Sequence, residues 1–187
     1  MSLTTLDPVP ALVVIDLQKG MLGVPTVDPL PEIVDRAAGL AAAFRRRDLP
    51  VVLVTVAGGA PGRTDAGSRS GPTPPPDWAD LVDELDARPG DHRVVKRTWG
   101  AFHGTDLDAH LRDKGVTQVV LAGVATSSGV ESTARAAYEH GYHVVLATDA
   151  MTDRNAEAHR GSIERVLPRL GETTTSADVL AMLDATR

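Results

Sequence analysis

At 187 residues, with 42% hydrophobic and 24% charged side chains, the chain has the balance of a single globular domain, residues 1–187, able to bury a substantial core. Its net charge of −6 repels polyanions and no apolar run approaches the roughly 20 residues of a bilayer span, so nucleic acid and membrane are excluded as partners and a cytoplasmic location is the default expectation. The absence of cysteine removes disulfides, zinc–thiolate centres, iron–sulfur clusters and cysteine nucleophiles together.

Short β-branched apolar runs alternate with stretches of helical periodicity, the pattern of parallel strands buried on both faces by crossover helices. In chain order the reading is strand Ala11–Ile15, helix Pro31–Arg47, strand Val51–Val56, strand Val94–Val95, helix Asp106–Lys114 and strand Val119–Ala122. Helix Val130–His140, strand Val144–Ala147, helix Ala156–Leu170, a weaker strand near Glu172–Thr174 and a last helix Ser176–Leu183 complete it. Thr105 suits an N-cap, while Gly115 and Gly141 stand where a left-handed helix end is wanted. The expected fold is α/β: an open, three-layer, doubly wound (Rossmann-like) six-stranded parallel sheet with helices on both faces. Ligands of such sheets sit at the carboxyl ends of the strands, near a switch in strand order. Residues Ala57–Trp78, rich in Gly and Pro, are too long for a plain connector and are expected to cover that end.

Three segments after strands carry groups with chemistry. Asp16 closes the first strand, where burial would penalise its charge unless a partner or a proton answers it; a turn or capping role is the plain alternative. Gln18 either orients a ligand or satisfies a loop amide. Lys96 ends the third strand and leads into Thr98-Trp99-Gly100-Ala101-Phe102, a fixed cation beside an apolar wall suited to a small organic anion, or else a surface lysine beside core aromatics. After the fourth strand, Gly123-Val124-Ala125-Thr126-Ser127-Ser128-Gly129 turns sharply into a helix, giving either an oxyanion hole of free backbone N–H groups or an ordinary start capped by Ser127 or Ser128. Arg63 is the best cation of the covering loop for a substrate carboxylate. The six histidines show no i, i+4 pair for a metal, and no GxGxxG or P-loop follows a strand, so neither metal nor cofactor is expected.

Taken together, Asp16-Leu17-Gln18, Lys96 followed by Trp99-Gly100-Ala101-Phe102, and Gly123-Val124-Ala125-Thr126 resemble the isochorismatase-like cysteine hydrolase superfamily, and the resemblance runs over nearly the whole chain. It implies a six-stranded parallel sheet with helices on both sides, and a catalytic aspartate, lysine and cysteine, matched here by Asp16, Lys96 and Gly129. It also implies a cis peptide at Val124–Ala125 that turns backbone donors toward substrate. Nicotinamidase-type members hold a metal with an aspartate and histidines, whereas the loop here has Asp65 and no histidine. Members with glycine for cysteine are the isochorismatases, which cleave a vinyl ether, so the resemblance implies hydrolysis of a small organic acid with Asp16 as general acid and Lys96 as its electrostatic partner. Val124, Ala125, Thr126 and Ser128 are then substrate-binding, with Gln18, Arg63, Trp99 and Phe102. The alternatives are a non-catalytic small-molecule binder and a serine-dependent amidase. A homo-oligomer, dimer or tetramer, is expected by the same resemblance.

Overall fold

A computed structural model describes residues 3–65 and 73–185. Six strands, β1 (Pro10–Ile15), β2 (Val51–Val56), β3 (His92–Lys96), β4 (Gln118–Val124), β5 (His143–Thr152) and β6 (Glu172–Thr174), form one parallel sheet in the order β3-β2-β1-β4-β5-β6. The helices are α1 (Leu30–Arg45), α2 (Leu107–Asp113), α3 (Glu131–Glu139), α4 (Ala156–Gly161) and α5 (Ser176–Ala185). All six residues of β1 are buried, as a central strand covered on both faces requires. Leu12 and Val14 face a core shared with α1 and α5, while Ala11, Val13 and Ile15 face the core under α2 and α3.

The expected architecture and every expected strand are present. The third strand is longer than Val94–Val95 because His92 and Arg93 pair with β2 despite their polarity, at an edge where one face is open. Leu107 N–H donates to Thr105 Oγ1 at 3.3 Å, while Gly115 (φ 70°) and Gly141 (φ 84°) are left-handed as expected. The helix expected over Ala156–Leu170 is interrupted. α4 passes into a π turn at Ser162–Val166 and a 3-10 turn at Leu167–Arg169, where Pro168 has no N–H to continue an α-helical ladder. Neither Ser127 nor Ser128 caps the helix after β4, which begins instead with a π-helical turn, Thr126–Val130.

The strand order reverses beside β1, with β2 on one side and β4 on the other. β2 runs past the residue that follows β1 and β4 ends level with it, so the ends of β1 and β4 share the crevice of the switch point. Their approach is close: Gly123 (φ 119°) lies so near that a Cβ there would sit 2.0 Å from the Ile15 carbonyl oxygen. Only glycine allows the two strand ends to meet at this point.

Candidate active site

Asp16 follows β1 with φ 51°, a left-handed conformation that aspartate tolerates better than most residues. Its N–H donates to the Val54 carbonyl at 2.9 Å and its own carbonyl accepts from Gln18 N–H at 2.9 Å, so a tight turn fixes the carboxylate at the strand end. Asp16 is 7% exposed and Lys96 1%. Lys96 Nζ donates to Asp16 Oδ2 at 2.7 Å and to the Thr98 carbonyl at 3.3 Å. β3 lies two strands from β1, about 10 Å at ordinary strand spacing, so a long side chain is needed to cross the end of β2. Lysine has that reach.

Asp16 Oδ1 is buried and, among the described residues, has no hydrogen-bond partner. Burial is the main influence on this carboxyl and pushes its pKa up from 3.8 to about 6, against the opposing pull of the Lys96 charge and hydrogen bond. The carboxyl is therefore half neutral near pH 6 and about nine-tenths ionised at pH 7.

Gly129 completes the arrangement from the β4 side. A Cβ there would stand 3.3 Å from Asp16 Oδ2, 3.1 Å from Ile15 Cγ2 and 3.2 Å from the Val124 carbonyl oxygen. The peptide between Val124 and Ala125 is cis, as the family resemblance implies. The turn spends several of its amides internally: Ser128 and Val130 N–H both donate to the Ala125 carbonyl, at 3.0 and 3.1 Å. Ser127 N–H and Oγ both donate to Asp153 Oδ2 at 2.8 Å. Asp153 is 4% exposed, and its other oxygen accepts from Arg154 and Asn155 N–H at 2.7 and 3.2 Å. The amides of Ser127, Ser128 and Val130 are spent on these contacts, so the expected hole is narrower than the whole first turn.

The other expected residues lie elsewhere or are already occupied. Gln18 is fully buried; its Nε2 donates to the Val56 and Trp78 carbonyls at 3.2 and 3.1 Å, and its Oε1 accepts from Val56 N–H at 2.8 Å. It joins the end of β2 to the covering loop, the plainer of its two readings, rather than facing a ligand. Gln18→Leu is expected to lower unfolding free energy by about 2 kcal/mol, because it strands the Val56 N–H and removes a donor from the Val56 and Trp78 carbonyls, of which Trp78 keeps Gly20 N–H. Urea unfolding checks this, and an unchanged midpoint would show that water replaces the amide without cost.

Phe102 is a core residue, its ring 5.1 Å from His140 and 5.9 Å from Tyr142. Trp99 is 59% exposed. The aromatic that packs against the segment after β1 is Trp78, whose indole occupies the space where a Cβ on Gly20 would lie. Arg63 is exposed, and residues 66–72 of the covering loop lie outside the described residues. Among the described residues, no three His, Asp or Glu side chains converge as metal ligands, and no helix is long and apolar enough to cross a membrane. Cavities of about 630 and 570 Å³ are lined by other residues; Asp16 and Lys96 are both buried.

Two further contacts were hidden in the sequence. Thr126 is fully buried, and its Oγ1 lies 2.9 Å from His159 Nδ1. Asp153, the residue after β5, is the one that holds Ser127. Neither contact has a local spacing signal, since both join segments separated by an entire helix and strand.

The comparisons with known proteins agree with the fold. The model of the isochorismatase domain matches residues 10–178. YwoC, an isochorismatase family protein of Bacillus subtilis, is 42% identical over 176 residues, covering 91% of this chain and 92% of its own. A maleamate amidohydrolase of Pseudomonas putida is 28% identical over 188 residues, covering 93% and 86%. An isochorismatase family protein of Burkholderia thailandensis shares the fold with a TM-score of 0.86 and 42% identity, over 96% of this chain and 98% of that one. With its switch-point crevice, its buried Asp16–Lys96 pair and a family match over nearly its full length, the chain belongs to the isochorismatase family.

Proposed function

We propose that the protein is a cofactor-independent hydrolase of a small organic acid, that Gly129 takes the place of the family's nucleophilic cysteine, and that the substrate is an enol ether of the isochorismate type. One observation carries this reading: a buried carboxyl with its pKa raised to about 6 lies against a lysine and a residue without a side chain. In a chain with no cysteine, the carboxyl is left with acid chemistry rather than thiol activation.

Asp16 in its neutral form donates its proton to the terminal carbon of the enol ether, giving an oxocarbenium-like centre. Water adds to that centre and returns a proton to the Asp16 carboxylate. The resulting hemiketal breaks its ether C–O bond, releasing pyruvate and an alcohol. Lys96 stabilises the carboxylate once its proton is gone and offsets the negative charge of the bound acid. A Cβ on Gly129 would stand 3.3 Å from Asp16 Oδ2, and its absence leaves room for water beside the carboxyl.

Incubating the pure protein with isochorismate and following pyruvate with lactate dehydrogenase tests the reading. Pyruvate release above the spontaneous rate is expected; its absence, with amides and esters also untouched, would sink the hydrolase reading. Binding without turnover is the outcome of the second reading, a small-molecule binder, which is favoured by one feature: Asp16 and Lys96 are both buried and already bonded to each other. A serine amidase has less support, because the Ser127 hydroxyl is held by Asp153. We further propose a cytoplasmic homo-oligomer, for which the exposed Val95 and Trp99 offer apolar surface.

A further inference from the structure

The turn that carries Gly129 is anchored from both ends, and one anchor is a histidine with no part in the chemistry just proposed. His159, on α4, stands with Nδ1 2.9 Å from the Thr126 hydroxyl oxygen and Nε2 3.6 Å from Asp28 Oδ2, its side chain only 13% exposed. Asp28 is itself fixed at the end of β5: its N–H donates to Thr152 Oγ1 at 3.0 Å, and its carbonyl accepts from Thr26 Oγ1 at 2.7 Å. A carboxylate beside Nε2 favours the tautomer protonated there, which leaves Nδ1 of the neutral ring as acceptor for the Thr126 hydroxyl.

The adjacent Ser127 is tied to Asp153. At the other end, Thr133 Oγ1 donates to the Gly129 carbonyl at 2.7 Å while accepting from Ala101 N–H at 3.1 Å. Between these anchors sits a glycine, the residue with the greatest backbone freedom. Nothing on its own α-carbon can hold it to Asp16; the anchors must.

Resting on the reading of Asp16 and Gly129 as the reacting site, we infer that Asp28, His159 and Thr126 form a positioning relay that sets the Gly129 backbone against Asp16. Its residues touch no reacting atom. Its effect is on alignment, and a displacement of about 1 Å in such a site costs up to about a hundredfold in rate.

Four single variants of the full chain test this: His159→Ala, His159→Asn, Thr126→Val and Thr126→Ser. Enol-ether turnover, the thermal midpoint and the backbone amide resonance of Gly129 are measured on each. His159→Ala and Thr126→Val are expected to lower kcat by about 10–100-fold with KM within about twofold, and to shift the Gly129 resonance. His159→Asn, whose side-chain oxygen takes the place of Nδ1, and Thr126→Ser should recover most of the loss. An unchanged kcat in His159→Ala overturns the relay. So does a loss that follows the thermal midpoint and is not recovered by asparagine, because that is a purely structural role. If the unaltered protein turns over no enol ether, the proposed reaction fails by itself and the relay is judged on the resonance: moved by alanine and restored by asparagine supports it, unmoved overturns it.

Discussion

Asp16→Asn is expected to lower kcat/KM for enol-ether hydrolysis by about a thousandfold, within the range of about 10²–10⁴ that a positioned general acid contributes. Asparagine keeps the shape and cannot donate a proton to carbon. The same reaction carries a signature in pH. Asp16 is neutral below its raised pKa of about 6 and ionised above it, so kcat/KM should be level in mild acid and fall about tenfold per pH unit above 6. A family member that uses aspartate as a base for a thiol predicts the opposite limb, activity rising through the same pKa. The sign therefore separates the two chemistries without knowledge of the best substrate. In the bound complex the limb should move upward, because an anionic substrate offsets Lys96, the group that pulls the Asp16 pKa down. A kcat/KM that climbs between pH 5 and pH 8, or an Asp16→Asn enzyme with full activity, would remove Asp16 from the acid role.

The frame of the site was legible because it depends on strand ends. β1, β4 and the Val94–Val95 centre of β3 are short apolar runs, and each leads at once into its chemistry: Asp16, the turn to Gly129 and Lys96. In a parallel sheet, topology places the residues just after each strand at one edge, so three weak local signals combined into one place. Side chains placed by packing were harder to read. Trp99 and Phe102 share a short segment with Lys96, yet one is exposed and the other enters the core beneath α2 and α3, since direction after a strand depends on turns the sequence does not announce. Gln18 read equally well as ligand-binding or structural, and only the backbone of Val56 and Trp78, far along the chain, decides between them. His159 stood among scattered histidines with no spacing to mark it, because its partner Thr126 lies 33 residues earlier and its other neighbour, Asp28, precedes α1.

Lys96→Met should destabilise the protein in a way that depends on pH, and this tests the charge balance of the site independently of any substrate. The folded-state pKa of Asp16 is raised from 3.8 to about 6, so the stability tied to its neutral form is fully present below pH 4 and is lost as pH rises through 6. At about 1.4 kcal/mol per pKa unit, the loss amounts to roughly 3 kcal/mol. In the unaltered protein Lys96 limits that loss by pairing with the carboxylate. Without the lysine the carboxylate is left buried and alone, and its pKa must rise further. Breaking a buried pair from one side costs about 3–5 kcal/mol, a deficit expected at pH 8 and much reduced at pH 5, where Asp16 is already mostly neutral. Urea unfolding at the two pH values measures it. Asp16→Asn combined with Lys96→Met removes both charges and should recover most of the stability at pH 8, because the desolvation of each ion disappears with it. Equal deficits for Lys96→Met at pH 5 and pH 8 would mean that the carboxyl does not titrate against the lysine, and the acid chemistry built on that coupling would lose its physical basis.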